Sequence, residues 1–251
     1  MSDPFLTDFH IHVTARRGKD PAMTVSAVVG RARELDLAAV GLLEHLAPSR
    51  GRDAGAFVWI RDELAKTDVP DELRVFRGVE IDVMSDGTFE DPPDVRERFA
   101  LDYVIGAVHG APKGTPDDAV LEDNFRRMMT ILEGPAPFEV LAHPWRSVLR
   151  CAAEAAGVEA TFDLVPAPMK RELIHVCAAK DVAIEVNAGS PLDDPSHDAF
   201  LRDALAAGVK LALGSDAHFL NVVGASEKSA AAARRVGATS RDLWTPAEDD
   251  T

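Results

Sequence analysis

Residues of the types that bind metal ions recur through this sequence in short motifs. Six of its eight histidines stand at or just after the end of an apolar run, and these are His10, His12, His45, His109, His143 and His218. Another apolar run contains Glu80, and Asp216 lies two residues before His218. Imidazoles and carboxylates without cysteine suit Zn, Mn or Fe(II). The pattern therefore predicts a metal centre.

The number of these groups indicates more than one ion. Residues two apart on a strand point the same way, so His10 and His12 can chelate a single ion. With about four to six ligands per ion, some of them shared, the set predicts two or three divalent ions. Such a centre lowers the pKa of bound water and positions the resulting hydroxide for attack on a bound substrate. The chemistry indicated is hydrolysis without a covalent intermediate.

Seven near-continuous apolar runs are placed to hold these residues, and each has the pattern of a strand covered on both faces. They are residues 5–12, 37–45, 73–83, 101–109, 139–143, 182–189 and 210–218. Helical patterns lie between most of them, at 24–36 with Thr24 as N-cap, and at 116–133 and 195–207, which both open with Pro. This alternation predicts a (β/α) barrel or a doubly wound parallel sheet. In either fold the carboxyl ends of the strands converge on one site.

Composition limits the class of protein. The 251 residues are 46% hydrophobic and 27% charged, which is typical of a globular chain. We expect one domain over 1–251, with a barrel from about 5 to 244 and a frayed tail at 245–251. Segments 86–93 and 145–168 are predicted insertions, the second with a helical piece at 151–156 that forms a flap over the strand ends. The net charge of −15 argues against binding of long nucleic acid.

The remaining expectations concern location and the other reactive side chains. Cys151 and Cys177 lie in helical patterns, and two thiols form no disulfide framework, so we expect a reducing, cytoplasmic location without a membrane span. Of the other histidines, we expect His175 on a helix and His197 on a surface loop. The sequence shows no Ser or Cys nucleophile motif and no phosphate-binding loop of the Walker type.

Taken in order, the motifs resemble those of the polymerase and histidinol phosphatase (PHP) superfamily of metal-dependent phosphoesterases. The matching segments are Asp8-Phe9-His10-Ile11-His12, Glu44-His45, Gly78-Val79-Glu80, Val108-His109, Ala142-His143-Pro144 and Gly214-Ser215-Asp216-Ala217-His218. The resemblance covers residues 6 to 220. It implies a distorted seven-stranded (β/α) barrel with the metal site at the C-terminal ends of the strands.

The resemblance also implies how the ligands are shared. His10, His12, Glu80 and Asp216 would surround one ion, and Glu80 would bridge to a second ion held by His109 and His143. A third ion would use His45, His218 and a ligand from the loop after the first strand. Members with three metals often carry His or Asp followed by Gly in that loop, whereas this chain reads VTARRGKDPAMT. Asp20 is the only carboxylate there and is the predicted ligand.

Other polar residues at strand ends are candidates for substrate contacts. Arg146, three residues after His143, is predicted to bind the substrate phosphate, because its guanidinium group can pair with two oxygens at once. Arg16, Arg17 and Arg50 occupy other loops after strands. Asn187 is predicted to contact substrate or to order a ligand, with a turn role as the alternative. Asp216 or His218 would give the leaving alkoxide its proton.

Four functions remain open from the sequence. We expect a small-molecule phosphomonoesterase, similar to the histidinol phosphatases of the superfamily, that acts on a small phosphorylated substrate. The main alternative is a phosphodiesterase or nuclease for nucleotides or short oligonucleotides. A non-catalytic PHP-type module and an amide hydrolase on a similar barrel are further alternatives. The physiological substrate, the native metal and the oligomeric state are not predicted.

Overall fold

A computed structural model describes residues 3–13, 20–47, 55–84, 86, 88, 94–134 and 138–247. The strands are β1 (Thr7–His12), β2 (Ala39–Leu43), β3 (His45–Leu46), β4 (Arg74–Asp82), β5 (Tyr103–Ala107), β6 (Val140–Leu141), β7 (Ala183–Asn187) and β8 (Leu211–Gly214). The helices are α1 (Val25–Glu34), α2 (Gly55–Leu64), α3 (Val95–Phe99), α4 (Val120–Glu133), α5 (Arg146–Ala156), α6 (Ala167–Lys180), α7 (Pro195–Ala206) and α8 (Ser226–Arg235).

The strands form a nearly closed parallel barrel. Their order is β1-β2-β4-β5-β6-β7-β8, and β3 continues the line of β2 beside β4. Ile11 on β1 bridges to Ala217 just beyond β8, where the His12 amide donates to the Ala217 carbonyl at 3.0 Å. The seven strands predicted from the apolar runs are therefore confirmed, as is the seven-stranded barrel that the resemblance implied. The second run is divided in two, since Glu44 interrupts the ladder between β2 and β3.

Apolar side chains fill the barrel at the end away from the histidine-rich mouth. Phe9, Phe76, Tyr103 and Trp244 form an interior aromatic cluster, with ring centroids of contacting pairs 5.5 to 6.5 Å apart. Small residues on the facing strands leave room for these rings, and they include Ala39, Ala107, Ala142, Ala183 and Ala212. A larger apolar layer packs the helices against the outer strand faces. This packing explains why the strands are apolar on both faces.

The helix starts follow the predicted signals closely. The Thr24 hydroxyl accepts the Ala27 amide at 3.2 Å and caps α1. Pro195 occupies the first turn of α7, which Asp194 caps. The 116–133 pattern begins with a 3-10 turn, Asp117–Ala119, before α4 starts at Val120. Helix prediction is thus confirmed in these three segments.

The two histidines away from the mouth, His175 and His197, both lie on helices. His175 lies on α6 as predicted, but the assignment of His197 to a surface loop is wrong. His197 lies on α7 and is only 2% exposed, because its ring packs 4.4 Å from that of Phe162. The predicted insertion at 86–93 and the tail beyond 247 lie largely outside the described residues. In the described part of the chain, no helix has both the length and the apolar character of a membrane span.

Candidate metal centre

The first ligand pair is placed by an irregularity in β1. The pairing of β1 with β2 shifts by one residue between Asp8 and Ile11, as in a β-bulge. A bulge re-aims the side chains beside it. Phe9 consequently joins the interior aromatic cluster, while the Nε2 atoms of His10 and His12 lie 3.2 Å apart at the mouth of the barrel. The two imidazoles can therefore bind the same ion.

Glu80 on β4 lies at the centre of the mouth and is fully buried. Its two carboxylate oxygens face ring nitrogens of five histidines at 2.9 to 3.5 Å: Oε2 faces His10, His12 and His45, and Oε1 faces His109 and His143. One carboxylate thus presents a different oxygen to each of two sets of imidazoles. This is the geometry required of a carboxylate that bridges two ions.

Asp216 and His218 complete the mouth from the loop after β8. The Asp216 Oδ1 atom lies 3.5 and 3.1 Å from the Nε2 atoms of His10 and His12. The His218 ring stacks on the His12 ring at a centroid distance of 4.2 Å. Both Asp216 and His143 adopt positive φ, at 54° and 29°, which is uncommon for residues other than glycine. Strain of this kind is found at functional sites, where surrounding contacts maintain it.

Among the described residues, the potential ligand atoms fall into four overlapping groups, within each of which the atoms lie at most 4.8 Å apart. The groups are His10-His12-Asp216, His10-Glu80-His143, His12-His45-His218 and His45-Asp82-His109. Eight of the nine predicted ligands occur in these groups. Asp20 does not, because its carboxylate accepts the Ala22 amide at 2.9 Å and the Leu220 amide at 3.4 Å. Its role as a ligand stays a prediction.

The imidazoles and carboxylates at the mouth shift one another's pKa values. Burial alone would lower the pKa of His10, but the carboxylates of Glu185, Glu80 and Asp216 raise it well above its usual value. Burial opposes ionisation of Glu80, whereas His45, His109 and His10 hold its pKa well below the usual range. The carboxylates are therefore ionised at neutral pH, as metal ligands must be.

Several buried polar atoms at the mouth fit a bound cation. Among the described residues, both oxygens of Glu80 and both ring nitrogens of His143 are inaccessible to solvent and form no hydrogen bond of good geometry, although imidazole nitrogens face the Glu80 oxygens. Buried polar atoms without partners are costly, and a divalent ion would satisfy them. The donor set of imidazole nitrogen and carboxylate oxygen suits Zn, Mn or Fe(II). The residues present thus fit the metal centre expected from the sequence.

The two predicted phosphate-binding residues lie together beside the ligands. The Arg146 guanidinium group donates to Asn187 Oδ1 at 2.9 Å and to the carboxylate of Asp216. Arg146 occupies the first turn of α5, whose remaining residues pack against α4, and Asn187 ends β7. A side chain at Gly189 would obstruct this arginine, since a β-carbon there would lie 2.7 Å from Arg146 Nη1. Arg16, Arg17 and Arg50 lie outside the described residues.

Three buried carboxylates near the mouth were not singled out from the sequence. Asp82 Oδ1 lies 3.2 and 3.0 Å from the Nδ1 atoms of His45 and His109. Glu185 contacts His10. Asp8 accepts the amides of Ser215 at 2.9 Å and of Gly224 at 3.1 Å, and burial raises its pKa to about 6.

The sequence did contain a signal for each of these carboxylates. Asp82, Glu185 and Asp8 each stand two residues from a residue already identified, namely Glu80, Asn187 and His10. Residues two apart on a strand share a face. That spacing could have found them.

Comparison with known proteins finds a sequence relative and several structural neighbours, while no family model matches the chain. The DNA polymerase/3'-5' exonuclease PolX of Bacillus subtilis (strain 168) is 27% identical over 165 residues. That match covers 66% of this chain and 25% of PolX, so this chain spans about a quarter of its relative.

The first structural neighbour is a Listeria monocytogenes protein provisionally assigned as the histidinol phosphatase hisK. The two folds superpose with a TM-score of 0.61 at 15% identity, over 87% of this chain and 97% of that one. The resemblance to the PHP superfamily is confirmed. The first neighbour supports the barrel fold, and the motif order agrees with the resemblance.

A second structural neighbour is more distant. It is N-isopropylammelide isopropylaminohydrolase from Burkholderia multivorans ATCC 17616, with a TM-score of 0.48 and 11% identity. The superposition covers 91% of this chain and 73% of that one.

Proposed function

We propose that this PHP-type protein is a metal-dependent phosphoesterase, and that its preferred substrate is a small phosphomonoester. The observation that carries the proposal is the position of Glu80, whose two oxygens face two separate sets of imidazoles. The relatives support the same chemical class, since one is described as an exonuclease and the other is assigned as a phosphatase.

In this proposal the ligands are shared among two or three ions of Zn, Mn or Fe. His10, His12 and Asp216 would hold one ion, His109 and His143 would hold a second, and Glu80 would be the ligand shared between them. His45 and His218, with Asp20, would hold a third. Bound divalent ions supply an activated water molecule and neutralise charge on the phosphoryl oxygens.

The protein's own side chains would orient the ester and donate a proton to the leaving alkoxide. Arg146 presents a planar guanidinium group that pairs with two oxygens at once, and Asn187 fixes its direction by accepting one of its hydrogens. As water adds to phosphorus, the bond to the ester oxygen breaks and the leaving alkoxide takes up one proton. His218 lies next to Asp216 and would donate that proton, because Asp216 itself is ionised.

A phosphodiesterase or nuclease is the second candidate, because the sequence relative is described as a 3'-5' exonuclease. The net charge of −15 disfavours a long polyanion as substrate but allows a nucleotide or a short oligonucleotide. Local positive charge from bound ions would offset that acidity at the mouth alone.

One experiment tests the proposed function and separates it from the alternatives. Purified protein is analysed for metal content and then assayed with Mn or Zn for release of phosphate from monoesters, for cleavage of diesters and short oligonucleotides, and for hydrolysis of amides. We expect at least two ions per chain and the highest kcat/KM for a monoester. Cleavage of diesters alone would favour the second candidate. Two bound ions without ester hydrolysis would contradict the phosphoesterase assignment and leave the module or the amide hydrolase.

A further inference from the structure

Glu185 on β7 is a buried carboxylate that forms hydrogen bonds with two of the candidate ligand residues, His10 and His143. Its Oε1 atom lies 2.8 Å from His10 Nδ1 and accepts the Asn187 side-chain amide at 2.9 Å. Its Oε2 atom accepts the backbone amide of His143 at 2.8 Å. One side chain therefore joins ligands carried by β1 and by the segment after β6.

The contact with His10 selects one state of that imidazole. An ionised carboxylate can only accept a hydrogen bond, so the hydrogen of a neutral His10 ring must reside on Nδ1. The Nε2 lone pair is then free, and it faces Glu80 and Asp216, each at 3.5 Å. Carboxylates that hold a ligating histidine in this way fix the ring's orientation and increase its basicity.

The contact with His143 acts on the backbone. His143 has a φ of 29°, so its peptide geometry must be maintained by its neighbours. Without Glu185 its amide would lose its acceptor in a fully buried position, at a cost typical of an unsatisfied donor. The same carboxylate thus orients the imidazole of one ligand and holds the main chain of another.

The adjacent strand leaves space for this arrangement. Gly214 on β8 pairs with Asn187 on β7, and a β-carbon at residue 214 would lie only 2.2 Å from Glu185 Oε1. Glycine is therefore required there if Glu185 is to reach His10. Glu185 itself occurs in none of the ligand groups found among the described residues.

We propose that Glu185 is a positioning residue that sets the tautomer of His10 and the backbone of His143, and so raises the affinity of the centre for divalent ions. This inference rests on the proposed metal centre but is independent of which ester is hydrolysed. It predicts an effect on metal affinity and on the state of His10 in the metal-free protein.

The test compares the variants Glu185→Gln and Glu185→Ala with wild type and with Glu139→Gln. Glu139 is a matched control, because it accepts the Val104 amide of the neighbouring strand at 2.8 Å but lies at the opposite end of the barrel. Zn affinity is measured by competition with a chromogenic chelator. The tautomer of His10 is read from ¹⁵N NMR of the metal-free protein at a pH high enough for the His10 ring to be neutral.

We expect Glu185→Gln to weaken Zn binding about 10-fold and Glu185→Ala about 100-fold, while Glu139→Gln binds as wild type does. Glu185→Ala should also shift His10 from the Nδ1-protonated form to a mixture. Unchanged affinity in both Glu185 variants, or in Glu185→Gln if Glu185→Ala does not fold, would overturn the inference. So would a wild-type protein that binds no Zn. Tight Zn binding without ester hydrolysis would refute only the proposed function, and the affinity ratios would still decide the role of Glu185.

Discussion

Gly41 on β2 leaves the space that the ring of Tyr103 occupies inside the barrel. A β-carbon at residue 41 would lie 2.0 Å from the phenolic oxygen of Tyr103, and one at Gly78 would lie 2.4 Å from its Cζ atom. That oxygen donates a hydrogen bond to the Phe9 carbonyl at 2.8 Å, next to the β-bulge that re-aims His10. The only tyrosine of the chain thus supports the backbone that carries the first metal ligands.

The variant Gly41→Ala should therefore destabilise the protein by about 1–3 kcal/mol, since overpacking a dense interior displaces its neighbours. Gly30→Ala is the matched control, because a β-carbon at that helical position meets nothing within 4 Å. It should stabilise the protein by about 0.5–1 kcal/mol through helix propensity. Urea unfolding measures both free energies. Equal effects of the two substitutions would refute the steric explanation.

Replacing Glu80 by Ala should remove the ligand shared between two ions. Mutation of residues that only orient ligands lowers metal affinity or activity about 10–100-fold. Loss of a bridging ligand should therefore lower turnover by more than about 100-fold. Metal analysis should show at least one ion lost, while circular dichroism shows the fold retained. Glu72→Ala changes an exposed glutamate eight residues away and is the control. Near-normal turnover by Glu80→Ala would exclude the bridging role.

The variant Arg146→Lys separates charge from shape at the proposed phosphate contact. Lysine keeps the charge but lacks the planar pair of donors that reaches Asn187 and Asp216, so KM should rise about 10-fold or more. Metal content should be unchanged, because Arg146 is not a ligand. Arg150→Lys, one turn further along α5 at a side chain that is 84% exposed, should leave KM unaltered. A change in metal content with constant KM would assign Arg146 a different task.

Stability should fall in mild acid because of His197. Burial lowers the pKa of its imidazole to about 4, whereas an unfolded histidine titrates near about 6.5. Between these two pKa values the unfolded chain binds a proton that the folded protein does not. The contribution of neutral His197 to the free energy of unfolding is therefore complete above about pH 6.5 and decreases as the pH falls towards 4. From pH 7.5 to pH 5 the loss is about 2 kcal/mol.

His197→Phe should remove that pH-dependent contribution, since the ring contacts Phe162 and Phe200 and its Nδ1 forms no hydrogen bond within the described part of the chain. His175→Gln, at an exposed position of α6, should leave it in place. Urea unfolding of wild type and the two variants at pH 7.5 and pH 5 gives the change in free energy of unfolding between these pH values. If His197→Phe loses as much stability in acid as wild type, another group is responsible.

The strands and most candidate ligands could be predicted because both depend on local pattern. A strand covered on both faces is apolar throughout, and a histidine after such a run lies at the mouth by geometry alone. The role of Glu185 could not be predicted in this way, because it depends on where β1 and β6 lie relative to β7. The burial of His197 was missed although it lies within the predicted helix 195–207, because only tertiary packing shows that this helix buries its first turn.

The contacts of Asp8 determine when the centre can exist during synthesis of the chain. Its carboxylate binds amides 207 and 216 residues further along, and these belong to the loop that supplies Asp216 and His218. His10 and His12 leave the ribosome first, but the barrel edge beside them stays open until that loop has emerged. A fragment that ends before residue 215 would therefore carry five of the six mouth histidines without an enclosed centre. Enclosure of the proposed metal centre would consequently follow synthesis of that loop, when the last candidate ligands join the first.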